Sequence, residues 1–378
     1  MTKIPIGILG ATGLVGQQYV LLLANHPWFE ISYLAASSES AGKSYADALL
    51  TKKYRLTTSD DIEQKVTSRI ANMQVFDAAD IAKAKESCRF VFSAADLGDK
   101  ERTKEFEFSY ARAGIPILSN SSANRWTPQV PVMITEINAD HHRMIPYQQA
   151  TYGFPSSGFI VSKPNCSIQS FMLPIYALQK AGYDITELYV VTAQAISGAG
   201  VLDPADPKVA VNDNFVPYIN GEEEKTEKEP TKIFGSLTGV QTLDVALSSH
   251  LIRASCGRSS AVIGHLATVF ASINRSEQSP QFSIENIVQT LANFKSPLAS
   301  LDLPSAPLHP IVYRSEPNRP QPILDSNESN GMAVVVGRVR VRDNETFSFV
   351  GLSNNLGRGA AGGSILNAEY LAERGYFN

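Results

Sequence analysis

The sequence contains little cysteine. Its 378 residues include three, Cys88, Cys166 and Cys256, and none of them lies in a C-x-x-C pair. Three cysteines cannot build the disulfide framework of a small secreted domain, and the spacing of zinc-binding or redox-cycling pairs is absent. We therefore expect no metal site. A single free cysteine in a special environment is the more interesting possibility.

An excess of one charge and long apolar runs are also absent. The 33 Lys and Arg residues nearly balance the 37 Asp and Glu residues, the net charge is -4, and the basic residues form no runs. Such a chain lacks the basic footprint of a nucleic-acid-binding protein. Apolar stretches such as 19–24 fall far short of the ~18 residues of a membrane-spanning helix, and the N-terminus resembles a strand rather than a signal peptide. We expect a soluble, cytoplasmic protein that binds neither nucleic acid nor membranes.

What is present is an ordinary globular composition, with 43% hydrophobic residues. At ~150 residues per domain the length predicts two domains. Residues 4–9 form an apolar run typical of a buried strand, residues 14–24 carry apolar side chains at helical spacing, and 31–36 form a second strand. This β-α-β order favours a parallel sheet. Further segments fit the same doubly wound α/β domain: strands at 90–93 and 115–118, and a helix at 100–113.

The second half of the chain has a different pattern. Residues 155–164 combine proline, glycine and serine, which often marks a passage between domains. Beyond them, Val/Ile/Thr-rich runs separated by long insertions predict an α+β domain with a mixed sheet. These runs cover 188–196, 260–273 and 332–341. The last segment, 359–374, is predicted to be a helix that packs back on the first domain. We therefore divide the chain into 1–160 with 356–378, and 161–355.

A glycine-rich segment, Gly10-Ala11-Thr12-Gly13-Leu14-Val15-Gly16, lies between the first predicted strand and helix. Glycines at this place let the backbone approach a pyrophosphate held by the helix N-terminus. The spacing is G-x-x-G-x-x-G rather than G-x-G-x-x-G, so a plain tight turn is the alternative. The strand-to-helix context favours a nicotinamide dinucleotide and makes 1–160 a Rossmann-type dinucleotide-binding domain.

The end of the second strand bears on which nicotinamide cofactor fits. NAD-binding proteins usually place an Asp or Glu there to bind the ribose hydroxyls. This chain has Ser37, Ser38 and Lys43, whose hydroxyl and amine groups suit a 2′-phosphate. Glu39 opposes that interpretation, because a carboxylate repels a phosphate. We predict NADP, with NAD as the alternative.

Cys166 and His265 have side chains suited to catalysis, and each has a structural alternative. Cys166 precedes an apolar run that is predicted to be helical, and a helix N-terminus favours the thiolate that a nucleophile requires. The alternative, a small buried hydrophobe, is our interpretation of Cys88. His265 lies in a strand-like run, where a buried structural histidine is commoner than a catalyst. Four other histidines are predicted to be surface or loop residues: His26, His141, His142 and His309.

Eight segments, in order, resemble the aspartate-β-semialdehyde dehydrogenase family. They extend through most of the chain: Gly10–Gly13, Ser38–Lys43, Asn120–Arg125, Pro164–Ser167, Gln194–Gly200, Gly221–Lys225, Cys256–His265, and Asn355 with Arg358–Gly363. Eight ordered segments are much more specific than any single motif. Gly-Glu-Glu-Glu-Lys at 221–225 and Arg-Gly-Ala-Ala-Gly-Gly at 358–363 are most similar to the archaeal and fungal branch.

The resemblance implies roles for the reacting groups and for the substrate contacts. Cys166 would be the nucleophile, Gln194 would help orient the acyl group, and His265 would be the acid/base catalyst. Arg258 would grip the substrate α-carboxylate, a task that suits the planar fork of a guanidinium. Glu222 would meet the substrate amino group. Arg125 and Lys225 would hold the phosphate.

Without the resemblance, a solvated helix face would be the better interpretation of Glu222 and Lys225. The resemblance also places Asn355 and the turn at 197–200 on the nicotinamide side of the cofactor. The whole predicted cofactor-binding set is Gly10, Thr12, Gly13, Leu14, Val15, Gly16, Ser37, Ser38, Lys43, Ser197, Gly198 and Asn355.

The implied reaction is the NADPH-dependent reductive dephosphorylation of L-aspartyl-4-phosphate to L-aspartate-4-semialdehyde, through a cysteine thioacyl intermediate. It belongs to the biosynthesis of the aspartate-family amino acids, such as lysine, threonine and methionine. The resemblance makes 161–355 a catalytic and dimerisation domain, and it implies a homodimer formed through that domain's sheet, or a homotetramer.

Some positions depart from the family pattern without removing a catalytic group: Glu39, Ser259, Ser260, Leu266, Ala267 and Leu356. They leave the substrate or cofactor preference open. The alternatives are a reductase of a coenzyme A thioester such as malonyl-CoA, a reductase of another acyl phosphate such as N-acetylglutamyl phosphate, and a non-catalytic NADP-binding regulator. Glu222, Lys225 and Arg258 argue against the thioester, because an amino-acid substrate with a departing phosphate explains all three.

Overall fold

The computed structural model describes residues 2–56, 66–239, 241–276 and 280–377. Two six-stranded sheets organise these residues. The strands are β1 Ile4–Leu9, β2 Phe29–Ala36, β3 Val75–Asp77, β4 Phe90–Ser93, β5 Ile117–Ser119, β6 Ile160–Ser162, β7 Asp184–Gln194, β8 Ser236–Thr238, β9 Asp244–Ala246, β10 Leu251–Arg258, β11 His265–Asn274, β12 Ile311–Arg314, β13 Val334–Val341 and β14 Thr346–Ser353.

The α-helices are α1 Leu14–Leu23, α2 Tyr45–Leu50, α3 Ser68–Ala71, α4 Ile81–Ser87, α5 Lys100–Arg112, α6 Thr135–Asn138, α7 Ile145–Tyr152, α8 Met172–Lys180, α9 Glu222–Ile233, α10 Ile284–Ala292, α11 Pro322–Asp325 and α12 Gly362–Glu373. Shorter 3-10 turns include Ala139–Met144, Ser167–Ser170 and Ile196–Ala199, and a π-turn at Gly357–Ala361 leads into α12. Within the described ranges, no helix has both the length and the apolar character needed to cross a membrane.

The first sheet is parallel throughout, in the order β3-β2-β1-β4-β5-β6. The strand order reverses at β1, whose Leu9 lies between Ala35 of β2 and Ser93 of β4. A crevice opens outside the carboxyl ends of the strands at such a reversal, and ligands bind there. The predicted Rossmann-type fold is confirmed.

Helices cover both faces of this sheet. On one face, Ile6 and Ile8 of β1 pack in a single apolar cluster with Ile365 and Leu371 of the C-terminal helix α12. Helix α5 contributes Phe108 to the cluster on the opposite face. The predicted boundary at residue 160 falls on the first residue of β6, so the first sheet extends to residue 162.

The second sheet is mixed, in the order β10-β7-β11-β14-β13-β12. Its outer pairs, β10 with β7 and β12 with β13, are parallel, and its inner pairs are antiparallel. Helices α8 and α10 pack on one face through a large apolar cluster. The predicted α+β domain with a mixed sheet is confirmed, although the predicted run at 260–273 becomes a strand only from His265 onward.

The opposite face of the second sheet is partly apolar and exposed. Tyr189 and Val191 of β7 and Leu251 of β10 are 44%, 48% and 48% exposed. Alternation along a strand sends every second side chain to this face, which also carries the ion pair of Glu187 and Arg253.

Two histidines that we expected at the surface are buried. The imidazole of His26 lies 2.8 Å from Glu369, and His141 is bonded to Asn138 and to the carbonyl of Gly235. Each ring has polar partners from a distant part of the chain, which local sequence patterns do not reveal.

Candidate active site

A cleft of ≈ 470 Å³ lies where loops from both sheets meet. Most of its walls are segments that directly follow strands or belong to α9: Ala94–Asp96 after β4, Asn120–Ser122 after β5, Pro164–Cys166 after β6, Ser197 and Gly198 after β7, Asn355 after β14, and Glu222 and Lys225 on α9. The cleft therefore occupies the crevice at the carboxyl edge of the parallel sheet, where such folds bind ligands.

The glycine-rich loop has the shape of a pyrophosphate cradle. Gly10 has a φ of +74°, and a Cβ atom there would lie 2.7 Å from the carbonyl oxygen of Ala94. A Cβ atom on Gly16 would lie 2.1 Å from the carbonyl oxygen of Gly10, so both glycines are sterically required. Gly13 caps α1 without a side-chain hydrogen bond, and the first turn carries no acidic residue. The helix N-terminus therefore suits an anionic ligand.

The other predicted residues of this loop have different surroundings. Val15 lines the cleft, whereas Leu14 and Thr12 are buried. The carbonyl of Thr12 accepts a hydrogen bond from Gln17, which holds the turn against the helix. These contacts hold the loop in place, so its backbone N–H groups are the part that can bind a ligand.

Ser37, Ser38 and Lys43 lie in the exposed turn after β2. The backbone N–H of Ala11 donates to the carbonyl of Ala35 at 3.0 Å, so the glycine-rich loop is fastened beside this strand end. The glycine-rich loop and this turn therefore follow neighbouring parallel strands at the same edge of the first sheet. Glu39 is exposed in the same turn, so its carboxylate belongs to the same loop as these hydroxyl and amine groups.

Strand register assembles four candidate residues at one edge of the second sheet. Arg258, the last residue of β10, is the register partner of Gln194, the last residue of β7. His265 begins β11 opposite Ser353, and Asn355 follows two positions after that partner. Residues that are far apart in the sequence therefore come together around the cleft.

Cys166 and His265 form a contact pair. The Cys166 Sγ lies 3.2 Å from Nε2 of His265. The other ring nitrogen, Nδ1, accepts the backbone N–H of Ala195 at 2.9 Å. Because Nδ1 faces a donor, we infer that the neutral ring carries its proton on Nε2, which faces the sulfur. His265 is thus arranged to donate a hydrogen bond into the reacting centre.

Burial keeps both members of this pair uncharged. It raises the pKa of the Cys166 thiol to about 11, an effect that the charge of Glu222 reinforces and nearby cations such as Arg258 oppose. Burial, with the charge of Arg258 as a smaller cause, lowers the pKa of His265 to about 3. Our expectation of a helix-stabilised thiolate is therefore wrong. Cys166 precedes a four-residue 3-10 turn, α8 begins only at Met172, and desolvation outweighs the nearby positive charges.

Glu222 lies at the centre of a polar group on the cleft wall. Its carboxylate accepts hydrogen bonds from Lys225 Nζ at 2.7 Å, from Asn165 Nδ2 at 3.0 Å and from Gln194 Nε2 at 3.3 Å. Burial alone would raise the pKa of Glu222, but the charge of Lys225 and these hydrogen bonds hold it below its ordinary value. Glu222 is therefore an ionised group able to bind a cation.

Arg258 and His265 converge on Gly198. The guanidinium of Arg258 donates to the carbonyl of Ala195 at 2.7 Å. A Cβ atom on Gly198 would lie 3.1 Å from His265 Nε2 and 3.2 Å from Arg258 Nη1, so a side chain there would crowd both groups. The glycine leaves room for a ligand to approach the two side chains together.

Asn355 connects the turn at 197–200 to the strand that begins with His265. Its Nδ2 donates to Ser197 Oγ at 2.8 Å, and its Oδ1 accepts the backbone N–H of Gly264 at 2.9 Å. Both Asn355 and Ser197 line the cleft. They position the turn as well as contributing to the surface that a ligand would meet.

Arg125 lines the cleft together with Cys166. Its Nε donates to the carbonyl of Lys163 at 2.9 Å, and its Nη1 lies 2.8 Å from Glu229. Glu229 was not among the predicted site residues, although it lies in the charged segment 222–232. The one available signal was its spacing of seven residues from Glu222, which places both on one face of a helix.

The departures from the family pattern fall in different places. Leu356 lines the cleft, whereas Ser260 is exposed and Ala267 is buried in the core of the second sheet. Ser259 donates its backbone N–H to the carbonyl of Gln194 and so supports a site strand. Among these departures, Leu356 is placed to influence ligand preference directly.

Comparison with known proteins agrees with this geometry. Residues 5–145 match the family described as semialdehyde dehydrogenase, NAD binding domain, and residues 175–358 match semialdehyde dehydrogenase, dimerisation domain. The chain belongs to the semialdehyde dehydrogenase family. The predicted resemblance is confirmed. The part of the family that residues 175–358 match is described as a dimerisation domain.

Curated relatives of this chain include proteins from fungi and archaea. The aspartate-semialdehyde dehydrogenase of Aspergillus fumigatus is 38% identical over 98% of this chain and 97% of the relative. That of Methanothermobacter thermautotrophicus is also 38% identical, over 97% of this chain and 99% of the relative. Among solved structures, the aspartate semialdehyde dehydrogenase from Candida albicans with NADP matches with a TM-score of 0.83 and 33% identity, covering 99% of this chain and 100% of that chain.

Proposed function

We propose that the protein is an NADP-dependent aspartate-β-semialdehyde dehydrogenase, which reduces L-aspartyl-4-phosphate to L-aspartate-4-semialdehyde in the biosynthesis of the aspartate-family amino acids. The observation that carries the proposal is the 3.2 Å contact between Cys166 Sγ and His265 Nε2 in a cleft that Arg258, Glu222 and the glycine-rich loop adjoin. Fungal and archaeal relatives of that name, 35–38% identical, support it.

The proposed substrate contacts follow from charge. Arg258 binds the α-carboxylate through its planar fork, and Glu222 binds the α-amino group. Arg125 and Lys225 bind the phosphoryl group. Since Lys225 is paired with Glu222 at 2.7 Å, arrival of the amino group exchanges the partner of Glu222 and releases Lys225 toward the phosphate.

The acylation step is a displacement at the acyl carbon. The Cys166 sulfur forms a bond to that carbon, the bond from the carbon to the phosphate oxygen breaks, and the thiol proton leaves with the phosphate. His265 Nε2–H and Gln194 Nε2 are the candidate donors to the oxyanion that develops on the acyl oxygen. Because burial raises the pKa of Cys166 to about 11, the thiol stays protonated until substrate arrives.

When bound, NADPH would supply the hydride that reduction of the thioacyl group requires. His265 Nε2–H donates a hydrogen bond to the alkoxide of the hemithioacetal on Cys166. The alkoxide collapses as the C–S bond breaks, the aldehyde leaves, and the sulfur departs as a thiolate that takes up a proton from solvent to restore the Cys166 thiol. The residues proposed to hold the cofactor are those of the glycine-rich loop, the turn with Ser37, Ser38 and Lys43, and Ser197, Gly198 and Asn355.

We also propose that 1–160 with 356–378 bind the dinucleotide and that 161–355 carry catalysis and dimerisation. The apolar side chains of Tyr189, Val191 and Leu251 on the second sheet support a homodimer through this face. A homotetramer would pair two such dimers. Light scattering of the wild type and of Val191→Arg tests this assembly, and an unchanged mass in the variant contradicts it.

The deciding experiment is phosphate-dependent reduction of NADP+ by the purified protein with L-aspartate-β-semialdehyde. We expect activity that requires phosphate, that is lost in Cys166→Ala, and that survives in Cys88→Ala, because Cys88 is buried in the first domain. NAD+ and malonate semialdehyde with coenzyme A serve as comparisons. Turnover only in the coenzyme A reaction, or equal turnover by Cys166→Ala, would overturn the proposal.

A further inference from the structure

One buried carboxylate connects two parts of the active site. Glu229, on α9, is 2% exposed, and its Oε1 lies 2.8 Å from Nη1 of Arg125. Its Oε2 accepts the backbone N–H of Asn165, the residue before Cys166, at 2.6 Å. Both partners line the cleft, whereas Glu229 itself lies behind them. The two oxygens of this side chain therefore fix the distance between Arg125 and the segment that carries the nucleophile.

Arg125 is held in one orientation by the remainder of its guanidinium. Nε donates to the carbonyl of Lys163 at 2.9 Å, and Nη2 donates to the carbonyl of Asn120 at 3.1 Å. With the bond to Glu229, three of the five N–H groups of the fork are used within the described residues. Two N–H groups remain for a ligand in the cleft, and their direction depends on these three anchors.

Helix α9 fastens the backbone around the same arginine. Lys232, three residues after Glu229, donates from Nζ to the carbonyl of Arg125 at 2.8 Å and to that of Val130 at 3.1 Å. At the other end of the helix, Glu222 accepts from the side chain of Asn165. One rigid helix thus holds the guanidinium, its backbone and the residue before the nucleophile.

We propose that Glu229 is a positioning residue for the phosphate of the reaction, which acts by orienting Arg125 and fixing Asn165 beside Cys166. This inference rests on the proposed function, because it takes the phosphate as the ligand of Arg125. A carboxylate so close to a phosphate site lowers the positive charge available there. The Glu229 carboxylate is explained if a fixed orientation of the Arg125 guanidinium strengthens phosphate binding more than the lost positive charge weakens it.

The test compares Glu229→Gln and Glu229→Asp with Glu227→Gln. Glu227 lies on the same helix and accepts only a backbone N–H, that of Ala254 in β10, among the contacts of the described residues. We expect Glu229→Gln to raise the KM for phosphate ~10-fold to ~100-fold, the loss of one or two charge-assisted hydrogen bonds. Glu229→Asp, which keeps the charge with a shorter reach, should be intermediate, and Glu227→Gln should retain the wild-type KM.

A structural role alone would lower the unfolding temperature of the Glu229 variants without moving the phosphate KM relative to the KM for aldehyde and NADP+. An unchanged phosphate KM in every folded Glu229 variant would therefore overturn the inference. If Glu229→Gln does not yield folded protein, Glu229→Asp carries the same comparison.

A second measurement needs no turnover. Inorganic phosphate should protect Cys166 from alkylation by iodoacetamide, and the concentration that gives half-protection should rise in the Glu229 variants and stay unchanged in Glu227→Gln. If the wild type fails to turn over aspartate semialdehyde while this pattern holds, the proposed function falls and the positioning role stands. Equal half-protection in wild type and folded Glu229 variants refutes the positioning role.

Discussion

Two buried arginine–glutamate pairs lie on either side of the segment that leads to Cys166. Arg125 pairs with Glu229, and Arg358 pairs with Glu136, each at 2.8 Å and each less than one-tenth exposed. The first pair adjoins the cleft, whereas the second lies in the interior beside Lys163. The same ion-pair chemistry therefore occurs at the cleft and inside the fold. The surroundings of each pair, a cleft for Arg125 and the protein interior for Arg358, therefore indicate its role.

The interior side has its own unusual electrostatics. Lys163 is buried, and burial lowers its pKa to about 7, with the charge of Arg358 lowering it further and that of Glu136 opposing. The side-chain amide of Gln169 and the Nε of Arg358 lack a hydrogen-bond partner among the described residues. This cluster concentrates polar groups without opening to a cleft, so we expect its substitutions to change stability more than catalysis.

Glu136→Gln should give the largest effect and separate the two pairs most clearly. Removing one partner of a buried ion pair costs about 3–5 kcal/mol, because the remaining charge stays buried without compensation. We expect a loss of that size in the free energy of unfolding, measured by urea titration. The phosphate KM of the folded variant should be that of the wild type. A raised phosphate KM at unchanged stability would mean that the interior pair also serves the ligand site.

Arg258→Lys tests whether the guanidinium of Arg258 at the cleft binds the substrate carboxylate. An ammonium keeps the charge but cannot reproduce the planar fork that binds a carboxylate through two hydrogen bonds. We expect kcat/KM for aspartate semialdehyde to fall about 100-fold, equivalent to about 2.7 kcal/mol, with little change in stability. Arg253→Lys, on the exposed part of the same strand, is the control. An equal loss in both variants would show that the strand, rather than the fork, is responsible.

The first sheet was easier to predict from the sequence than the second. Strand β4 coincides with the predicted 90–93, because a strand buried on both faces has an uninterrupted apolar sequence. Strand β10 was missed. It is an edge strand in which Leu251, Arg253 and Ser255 are exposed, so its sequence lacks an apolar run.

Contacts at the site show the same limit. The resemblance identified Arg125, but Glu229 lies 104 residues away from it, and a mixed charge run does not reveal which carboxylate turns inward. The pKa of Cys166 was misjudged for a related reason. Desolvation depends on the whole surroundings of the thiol, whereas a motif shows only its neighbours in the chain.

Lys163→Met tests the lowered pKa of Lys163 in the interior cluster through the pH dependence of the free energy of unfolding. A lysine has a pKa near 10.4 when unfolded, and the folded protein holds that of Lys163 at about 7, so between these values the unfolded state binds more protons. The free energy of unfolding should therefore rise with pH in this window, by up to about 1.4 kcal/mol per pH unit from this group.

The measurement compares urea denaturation of wild type and Lys163→Met at pH 7 and pH 9. The wild type should gain stability relative to the variant by about 2 kcal/mol across this interval, from the same linkage. Parallel pH dependence in the two proteins would show that Lys163 titrates normally. Lys180→Met, at the end of α8, provides the exposed-lysine control.

The smallest expected effect concerns the alkylation rate of the Cys166 thiol. It shows whether Glu222 at the cleft or Lys163 in the interior cluster sets the pKa of that thiol. Glu222 raises the pKa of Cys166, so Glu222→Gln should lower that pKa and increase the thiolate fraction at pH 8. We expect iodoacetamide to alkylate the variant about 3-fold faster than the wild type, a modest charge interaction across the cleft. At the same pH Lys163 is mostly neutral, so Lys163→Met should leave the alkylation rate unchanged. A slower rate in Lys163→Met, with an unchanged rate in Glu222→Gln, would reverse the assignment and place control of the nucleophile in the interior cluster.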